Sequence, residues 1–360
     1  MSHEKRPGYI PALDGLRALA VLAVLAYHSE TALSSHPGGI GGVDVFFVIS
    51  GFVITRLLLS ELSRTSRIDL VRFYGRRAIR LYPALLCVVF VASLFWWVMA
   101  SPNIYYLFEV VGSLLYLTPV TTVVLPHLVM FSHTWTLGIE EYFYLALPLF
   151  LLVARPWRLK SAQLIMLFMF AGLAMLGSIA IARFITEDPS ALLNYFLRAG
   201  GLFLGCATAV LVKDGKVLRK SALVSFAGIL GIAGGMAILG LPKFGGLGFF
   251  VIDISTMAVI AGVASAHGNA VSGVLGSKPL VYLGRISYEI YLWHLPLLVA
   301  VGFLLPNTGL VVPAVSYALT FLLAVTTHHG LAPLQLILRR SLDRRSVAVG
   351  QTGRGGAPLS

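Results

Sequence analysis

Two side chains near the start of the chain stand out, because both lie in one strongly apolar segment, residues 13–32. Arg17 and His28 are eleven positions apart in it. Eleven helical residues make close to three turns, so both side chains leave the same face, roughly 16 Å apart along the axis. Charged and titratable groups are costly in hydrocarbon and usually mark a pathway or a reaction site within a helical bundle. The pair therefore predicts chemistry inside a membrane, although a hydrogen-bonded packing role also explains His28 taken alone.

Further polar residues lie within or beside apolar segments, and each has a structural alternative. Asp44 follows the glycine-rich stretch GGIGG, where it could cap the helix that begins there. Glu289 lies four residues after Arg285, so an i,i+4 pair could neutralise both. The adjacent residues Glu140 and Glu141 point about 100° apart on a helix, so they are not expected to face one site together.

The composition predicts the environment of these groups. Of the 360 residues, 58% are hydrophobic and 12% are charged, whereas a soluble domain is about 25% charged. We predict an all-α integral membrane protein, a bundle of about ten transmembrane helices. The predicted spans are residues 11–33, 40–60, 80–100, 134–154, 163–184, 191–212, 221–241, 247–266, 280–304 and 311–333.

Charge in the loops predicts the orientation. Most of the 27 Lys and Arg residues fall in loops on the side of the N-terminus, the pattern typical of cytoplasmic loops. Both termini are therefore predicted in the cytoplasm of a multi-pass protein of the bacterial inner membrane. The net charge of +12 is explained by these loops, so no nucleic-acid partner is expected. The first apolar segment is predicted to be a retained span, since no cleavage pattern follows it.

The segment 104–125 is apolar enough to span, but an additional span would place most later arginines outside. We therefore predict a re-entrant or surface-lying segment on the outer side, with an eleventh span as the alternative. Residues 1–340 are predicted to form one membrane domain and residues 341–360 a disordered cytoplasmic tail. No spacing typical of a metal site is present.

This orientation separates the polar groups by depth. The arginines gather at the cytoplasmic side, and the histidines and carboxylates lie from the middle outward. Arginines at the cytoplasmic side, with acid–base groups deeper in the membrane, suit a polyanionic donor that enters from the cytoplasm. The acceptor would then bind deeper in the membrane or at its outer side. Arg76, Arg77 and Arg80 are also explained as anchors at lipid headgroups.

Five blocks, in order along the chain, resemble the signatures of the bacterial membrane acyltransferase-3 family. They are YIPALDGLRALAVLAVLAYHSE, GGVDVFFVISGFVIT, FYGRRAIRLYPAL, HTWTLGIEEYFYLALPL and SYEIYLWHLPLL. The resemblance covers roughly residues 8–333. It departs from the family at Tyr142, where Gln is usual, and at Glu289, where a small residue is usual. The C-terminal esterase-like domain of some members is not expected here, so the resemblance implies a stand-alone membrane form.

The resemblance implies an O-acyltransferase that moves an acyl group, often acetyl, from cytoplasmic acyl-CoA to a sugar hydroxyl of the cell envelope or of an exported carbohydrate. It implies that Arg17 and His28 are the family's Arg-x10-His pair. It further implies that Arg77 and Arg80 are the Arg-x-x-Arg pair associated with acyl-CoA. Asp44 and Glu141 match other family positions. Acyl-CoA is then a substrate, and no bound cofactor is implied.

The resulting hypothesis assigns a role to each residue. Arg77 and Arg80 bind the donor's phosphates, which guanidinium groups recognise with forked, charge-assisted hydrogen bonds, and Arg17 guides the donor. His28 is the general base, oriented by Asp44 or Glu141. His133, Glu140 and His294 are assigned to the acceptor side.

Two alternative functions remain. The acceptor could instead be a small metabolite such as a macrolide. The alternative from another class is a proton-coupled transporter or flippase, because buried His, Asp and Glu also build proton relays. Transporters often show internal repeats, and none is evident in this sequence.

Overall fold

A computed structural model describes residues 9–29, 37–99, 104–125, 130–154, 159–186, 191–213, 220–241, 243–265, 269–306 and 308–352. All the regular structure in these ranges is helical, which confirms the predicted all-α class. The α-helices are α1 Pro11–Tyr27, α2 Gly42–Thr65, α3 Leu70–Met99, α4 Ile104–Leu114, α5 Thr118–Val124, α6 Trp135–Ala154, α7 Ser161–Thr186, α8 Ala191–Arg198, α9 Gly200–Leu211, α10 Ser221–Ile238, α11 Gly245–Ser265, α12 Ala270–Leu275, α13 Lys278–Arg285, α14 Ser287–Leu304 and α15 Val311–Thr352.

Nine helical segments in the described part of the chain are long and apolar enough to cross a membrane. They correspond to the second through tenth predicted spans. The first predicted span is α1, whose 17 residues are slightly fewer than the roughly 20 residues of a typical span. The predicted span 280–304 is interrupted at Ile286, between α13 and α14. The chain is thus a multi-pass membrane protein.

The segment 104–125 is not one spanning helix. It forms α4 and α5, of 11 and 7 residues, and both are too short to cross a bilayer. Gly112 of α4 lies against Thr121 of α5, so the two helices fold back on each other. Glu109 accepts hydrogen bonds from the backbone N–H groups of Met130 and Phe131 at 3.0–3.2 Å, which ties the segment to the start of α6. The alternative of an eleventh span is therefore wrong.

Small residues let the central helices approach closely. Gly51 of α2 lies against the backbone of α9 at Leu202, and Gly205 of α9 lies against the backbone of α2 at Val48. In a membrane, helices associate largely by van der Waals packing, and glycine permits close backbone contact. A Cβ at either glycine would collide with backbone atoms. This contact holds α9, and with it the end of α8, against α2.

The last helix extends beyond the predicted span. The described helix α15 continues through residues 341–352, past residue 341 where the tail was predicted to begin, and residues 353–360 lie outside the described ranges. Asp343 accepts hydrogen bonds from Arg72 at 3.2 Å and Arg76 at 2.8 Å. These contacts explain the extension, because the helix docks its polar end on the start of α3.

Candidate active site

A cavity of about 1130 Å³ opens among α1, α2, α3, α6, α14 and α15. Small-molecule sites typically enclose about 300–1,000 Å³, so this cavity has room for a large ligand. Its charged lining consists of nine arginines and five carboxylates: Arg17, Arg56, Arg64, Arg72, Arg76, Arg77, Arg80, Arg339, Arg340, Asp14, Glu61, Glu140, Glu141 and Asp343. The excess of guanidinium groups favours an anionic ligand.

The three arginines predicted to bind the donor all line this cavity. Arg77 donates to Glu141 at 2.6 Å, and its guanidinium carbon lies 3.4 Å from the centre of the Tyr144 ring. Arg80, one helical turn further along α3, has no ion pair within the part of the chain that the structure describes. Arg77 is therefore held in place, whereas Arg80 is available to a ligand.

Asp14, on the first turn of α1, holds Arg17. Its carboxylate accepts from Arg17 at 3.1 Å and from the Tyr9 hydroxyl at 2.6 Å, and Arg285 lies 3.8 Å away. Burial raises the pKa of Tyr9, and the bond to Asp14 raises it further, so the hydroxyl keeps its proton and remains a donor. Arg17 is thereby oriented along the cavity wall.

Glu140 and Glu141 both line the cavity, contrary to the expectation that adjacent residues would not face one site together. The cavity is wide enough for both, and each has a different partner. Glu141 binds Arg77 and therefore does not orient His28 as predicted. Glu140 accepts from Ser50 of α2 at 2.7 Å, so it lies among the arginines rather than with the histidines of the predicted acceptor side.

Three histidines from three separate helical regions meet beside this cavity. The ring centres of His28 and His294 are 5.1 Å apart, and those of His294 and His133 are 4.9 Å apart. His133 and His294 are buried. The prediction that these residues belong to one site agrees with their proximity, although they do not line the cavity with the arginines.

Hydrogen bonds determine the tautomers of two of these rings. Nδ1 of His28 lies 3.0 Å from the Val24 carbonyl oxygen, and Nδ1 of His294 lies 2.6 Å from that of Tyr291. A carbonyl oxygen only accepts, so each Nδ1 carries a proton and Nε2 of the neutral ring carries a lone pair. His28 therefore has the tautomer of a base, and a backbone carbonyl, not a carboxylate, orients it.

Tyr291 and Thr136 form the wall between the cavity and the histidines. Both line the cavity. The Tyr291 hydroxyl donates to the His133 carbonyl oxygen at 2.6 Å and lies 2.8 Å from Thr136 Oγ1. The Tyr291 ring centre is 5.2 Å from that of His133 and 5.4 Å from that of His294. The cavity thus ends one side chain away from the histidine cluster.

Asp44 is not the partner of His28 either. Its two carboxylate oxygens accept from Arg198, Nη2 at 2.6 Å and Nε at 3.1 Å, and both side chains are fully buried. The Arg198 guanidinium also lies over the rings of Trp135 and Phe249. Asp253 is close enough to interact electrostatically with both members of the pair. The predicted orienting role of Asp44 is replaced by a forked ion pair that joins α2 to the end of α8.

Sequence reasoning overlooked Arg198 and Asp253, although each is a charged residue within a predicted span and so carried the same signal as Arg17.

Sequence reasoning also proposed a pair between Arg285 and Glu289. Glu289 instead lies 3.0 Å from Nδ1 of His328 on α15, and Arg285 donates to Tyr9 at 3.1 Å. No group of three His, Cys, Asp or Glu side chains suited to a metal occurs in the ranges that the structure describes.

The fold and the site together define a polytopic membrane protein with an internal cationic cavity that ends beside a histidine cluster. Residues 10–329 match the acyltransferase domain family, and the chain belongs to that family. This confirms the resemblance seen in the sequence motifs.

Its relatives include O-acetyltransferases of two bacterial species. The O-acetyltransferase OatA of Staphylococcus aureus strain NCTC 8325 is 35% identical over 338 residues, covering 82% of this chain and 52% of the relative. The peptidoglycan O-acetyltransferase OatA of Listeria monocytogenes EGD-e is 34% identical, covering 81% and 49%. The chain thus spans about half the length of these curated relatives. No solved structure matches the chain.

Proposed function

We propose that the chain is a membrane O-acetyltransferase that moves an acetyl group from acetyl-CoA to a hydroxyl of a cell-wall glycan. The observation that carries the proposal is the arginine-lined cavity ending at Tyr291, behind which lie the histidines. One relative is named an O-acetyltransferase, which supports the reaction, and another is named a peptidoglycan O-acetyltransferase, which supports the acceptor class.

The donor fits the cavity by charge and by shape. Acyl-CoA is polyanionic at its nucleotide end and thin and neutral along the arm that carries the thioester. In the proposed pose, phosphate oxygens bind the free guanidinium of Arg80 and its neighbours, because forked N–H donors match phosphate geometry. The arm then extends toward the Tyr291 wall.

The chemistry requires a base for the acceptor hydroxyl. Nε2 of His28 takes the hydroxyl proton as the oxygen attacks the thioester carbonyl carbon, and the carbon–sulfur bond breaks as the new ester bond forms. The imidazolium then gives its proton to the departing thiolate, so no protein nucleophile is needed. Because the cavity stops at Tyr291, the proposal requires this side chain to move when both substrates are bound.

The proposed orientation places the arginine end of the cavity at the cytoplasmic face of the inner membrane, with both termini inside. The distribution of Lys and Arg among the loops supports it, and acyl-CoA is a cytoplasmic metabolite. A cysteine introduced at Arg64, which lines the mouth, should react with a membrane-impermeant maleimide only in inverted vesicles. Labelling in right-side-out cells instead would contradict the orientation.

The function is tested by reconstituting the purified protein in nanodiscs with acetyl-CoA and soluble peptidoglycan glycan fragments. We expect base-labile acetate on the fragments, detected by mass spectrometry, and matching release of CoA thiol. Release of thiol without acetylated glycan would contradict the acceptor class. Failure of the protein to bind CoA at all would contradict the donor.

We expect Arg80→Ala to raise the KM for acetyl-CoA by about 10-fold or more, because a hydrogen bond to a charged group contributes about 1.5–3 kcal/mol. Arg80 is the clearest probe, since Arg77 also neutralises Glu141. Lys278→Ala removes the same charge from an exposed residue outside the cavity and should leave KM unchanged. An unchanged KM for Arg80→Ala would argue against a phosphate site here.

A further inference from the structure

Tyr116 lies at the turn between α4 and α5 in an unusual backbone conformation. Its φ is +57°, in the left-handed region that ends many helices. The Leu117 N–H donates to the Gly112 carbonyl at 2.7 Å across this turn, as in a Schellman motif, where glycine is the usual residue. A residue with a bulky side chain is disfavoured there by roughly 1–2 kcal/mol. A tyrosine in this strained conformation therefore indicates a function for its side chain, because backbone strain is concentrated at functional sites.

The side chain is buried and directed into the cavity. Tyr116 is 7% exposed and lines the cavity wall, and its hydroxyl has no hydrogen-bond partner among the described residues. Burial raises the pKa of Tyr116, so the hydroxyl is a donor. A buried, unsatisfied hydroxyl is costly, which indicates that a ligand in the cavity completes its hydrogen bonding.

The position of the ring is set by its neighbours. It packs edge-on against the Tyr82 ring with centroids 5.5 Å apart. The Tyr116 carbonyl oxygen accepts from the Tyr142 hydroxyl at 2.8 Å, which fixes the backbone that carries the ring. The hydroxyl is thus preorganised rather than free to find a partner elsewhere.

The charges around Tyr116 indicate which part of a ligand it meets. The charged groups that act on it are Glu141, Arg77 and Glu140. Arg77 and Glu141 neutralise each other, unlike the region of unpaired arginine around Arg80. A neutral polar group therefore suits this part of the cavity better than a phosphate.

We propose that Tyr116 is a donor-binding residue whose hydroxyl donates a hydrogen bond to an amide carbonyl oxygen on the pantetheine arm of the acyl donor. This rests on the proposed function. The residue positions the thioester for transfer, and it belongs to the segment 104–125, to which sequence analysis assigned no chemistry.

The test compares two donors, acetyl-CoA and S-acetylpantetheine, which shares the amides but lacks the nucleotide and its phosphates. We expect Tyr116→Phe to lower kcat/KM by about 3- to 10-fold with both donors, the effect of one neutral hydrogen bond. Arg80→Ala should be impaired with acetyl-CoA and close to wild type with S-acetylpantetheine. Phe keeps the ring, and thermal unfolding in detergent confirms that the variant is folded.

The matched control is Tyr106→Phe, which removes a hydroxyl from α4 that bonds to Ser93 and does not line the cavity; its kinetics should be those of wild type. Equal kinetics for Tyr116→Phe and wild type would overturn the assignment. A decrease in kcat/KM that is confined to acetyl-CoA, or that equals the decrease in Tyr106→Phe, would overturn it as well. If wild type transfers acetyl from neither donor, the proposed function itself fails, and this inference fails with it.

Discussion

His28→Ala should lower kcat for acetyl transfer by about 10²–10⁴-fold, the usual contribution of a general base. The reason is geometric. The Nδ1–H of His28 donates a hydrogen bond to the backbone carbonyl of Val24, which leaves Nε2 to accept the proton of the acceptor hydroxyl. The KM for acetyl-CoA should change little, because His28 does not line the arginine cavity.

The measurement is the steady-state rate of glycan acetylation by purified protein in nanodiscs. His329→Ala is the matched control, since this exposed histidine bonds only to Tyr282 in the part of the chain that the structure describes and should keep wild-type kcat. A folded His28→Ala variant with the wild-type rate would show that another group removes the proton. His294 would then be the candidate, because it has the same tautomer as His28.

Arg198→Ala should have the largest effect on stability, about 3–5 kcal/mol, the usual result of removing one partner from a buried ion pair. The substitution leaves Asp44 buried without its cation, with the carboxyl group of Asp253 nearby. It also removes the guanidinium that lies over the rings of Trp135 and Phe249. The expected result is a much lower yield of folded protein and a lower midpoint of thermal unfolding in detergent.

Arg72→Ala is the control for this experiment, because it breaks a more exposed pair with Asp343, and exposed pairs contribute about 0–1 kcal/mol. Arg198→Lys should fall between the two, since the charge is kept and the fork is lost. If Arg198→Ala unfolds at the wild-type temperature, the pair does not hold α8 on α2. Loss of activity in Asp44 variants would then need a catalytic explanation.

Much of the fold follows from composition and patterning, because the bilayer restricts a spanning chain to a few structures. Long apolar segments in a chain of low charge must form helices, since unsatisfied backbone groups are too costly in hydrocarbon. This explains why the predicted spans agree with α2, α6, α7, α10 and α11 to within several residues at each end, whereas α3 begins ten residues before its predicted span. Hydropathy did not reveal the break at Ile286 or the extension of α15, because both depend on contacts with other helices.

For the candidate site too, one part could be predicted from the sequence and another part depended on the tertiary structure. The sequence by itself determined which side chains to examine, and the folded chain brings them together: Arg17, Arg77 and Arg80 line one cavity, and His28 lies beside His294. Only the tertiary structure decided the partners, pairing Asp44 with Arg198 and Glu141 with Arg77 and leaving a backbone carbonyl to orient His28. Spacing along one helix specifies the face from which a side chain projects, whereas an ion pair depends on which other helix packs against that face. That packing is set by close contacts such as those at Gly51 and Gly205, which only the folded chain reveals.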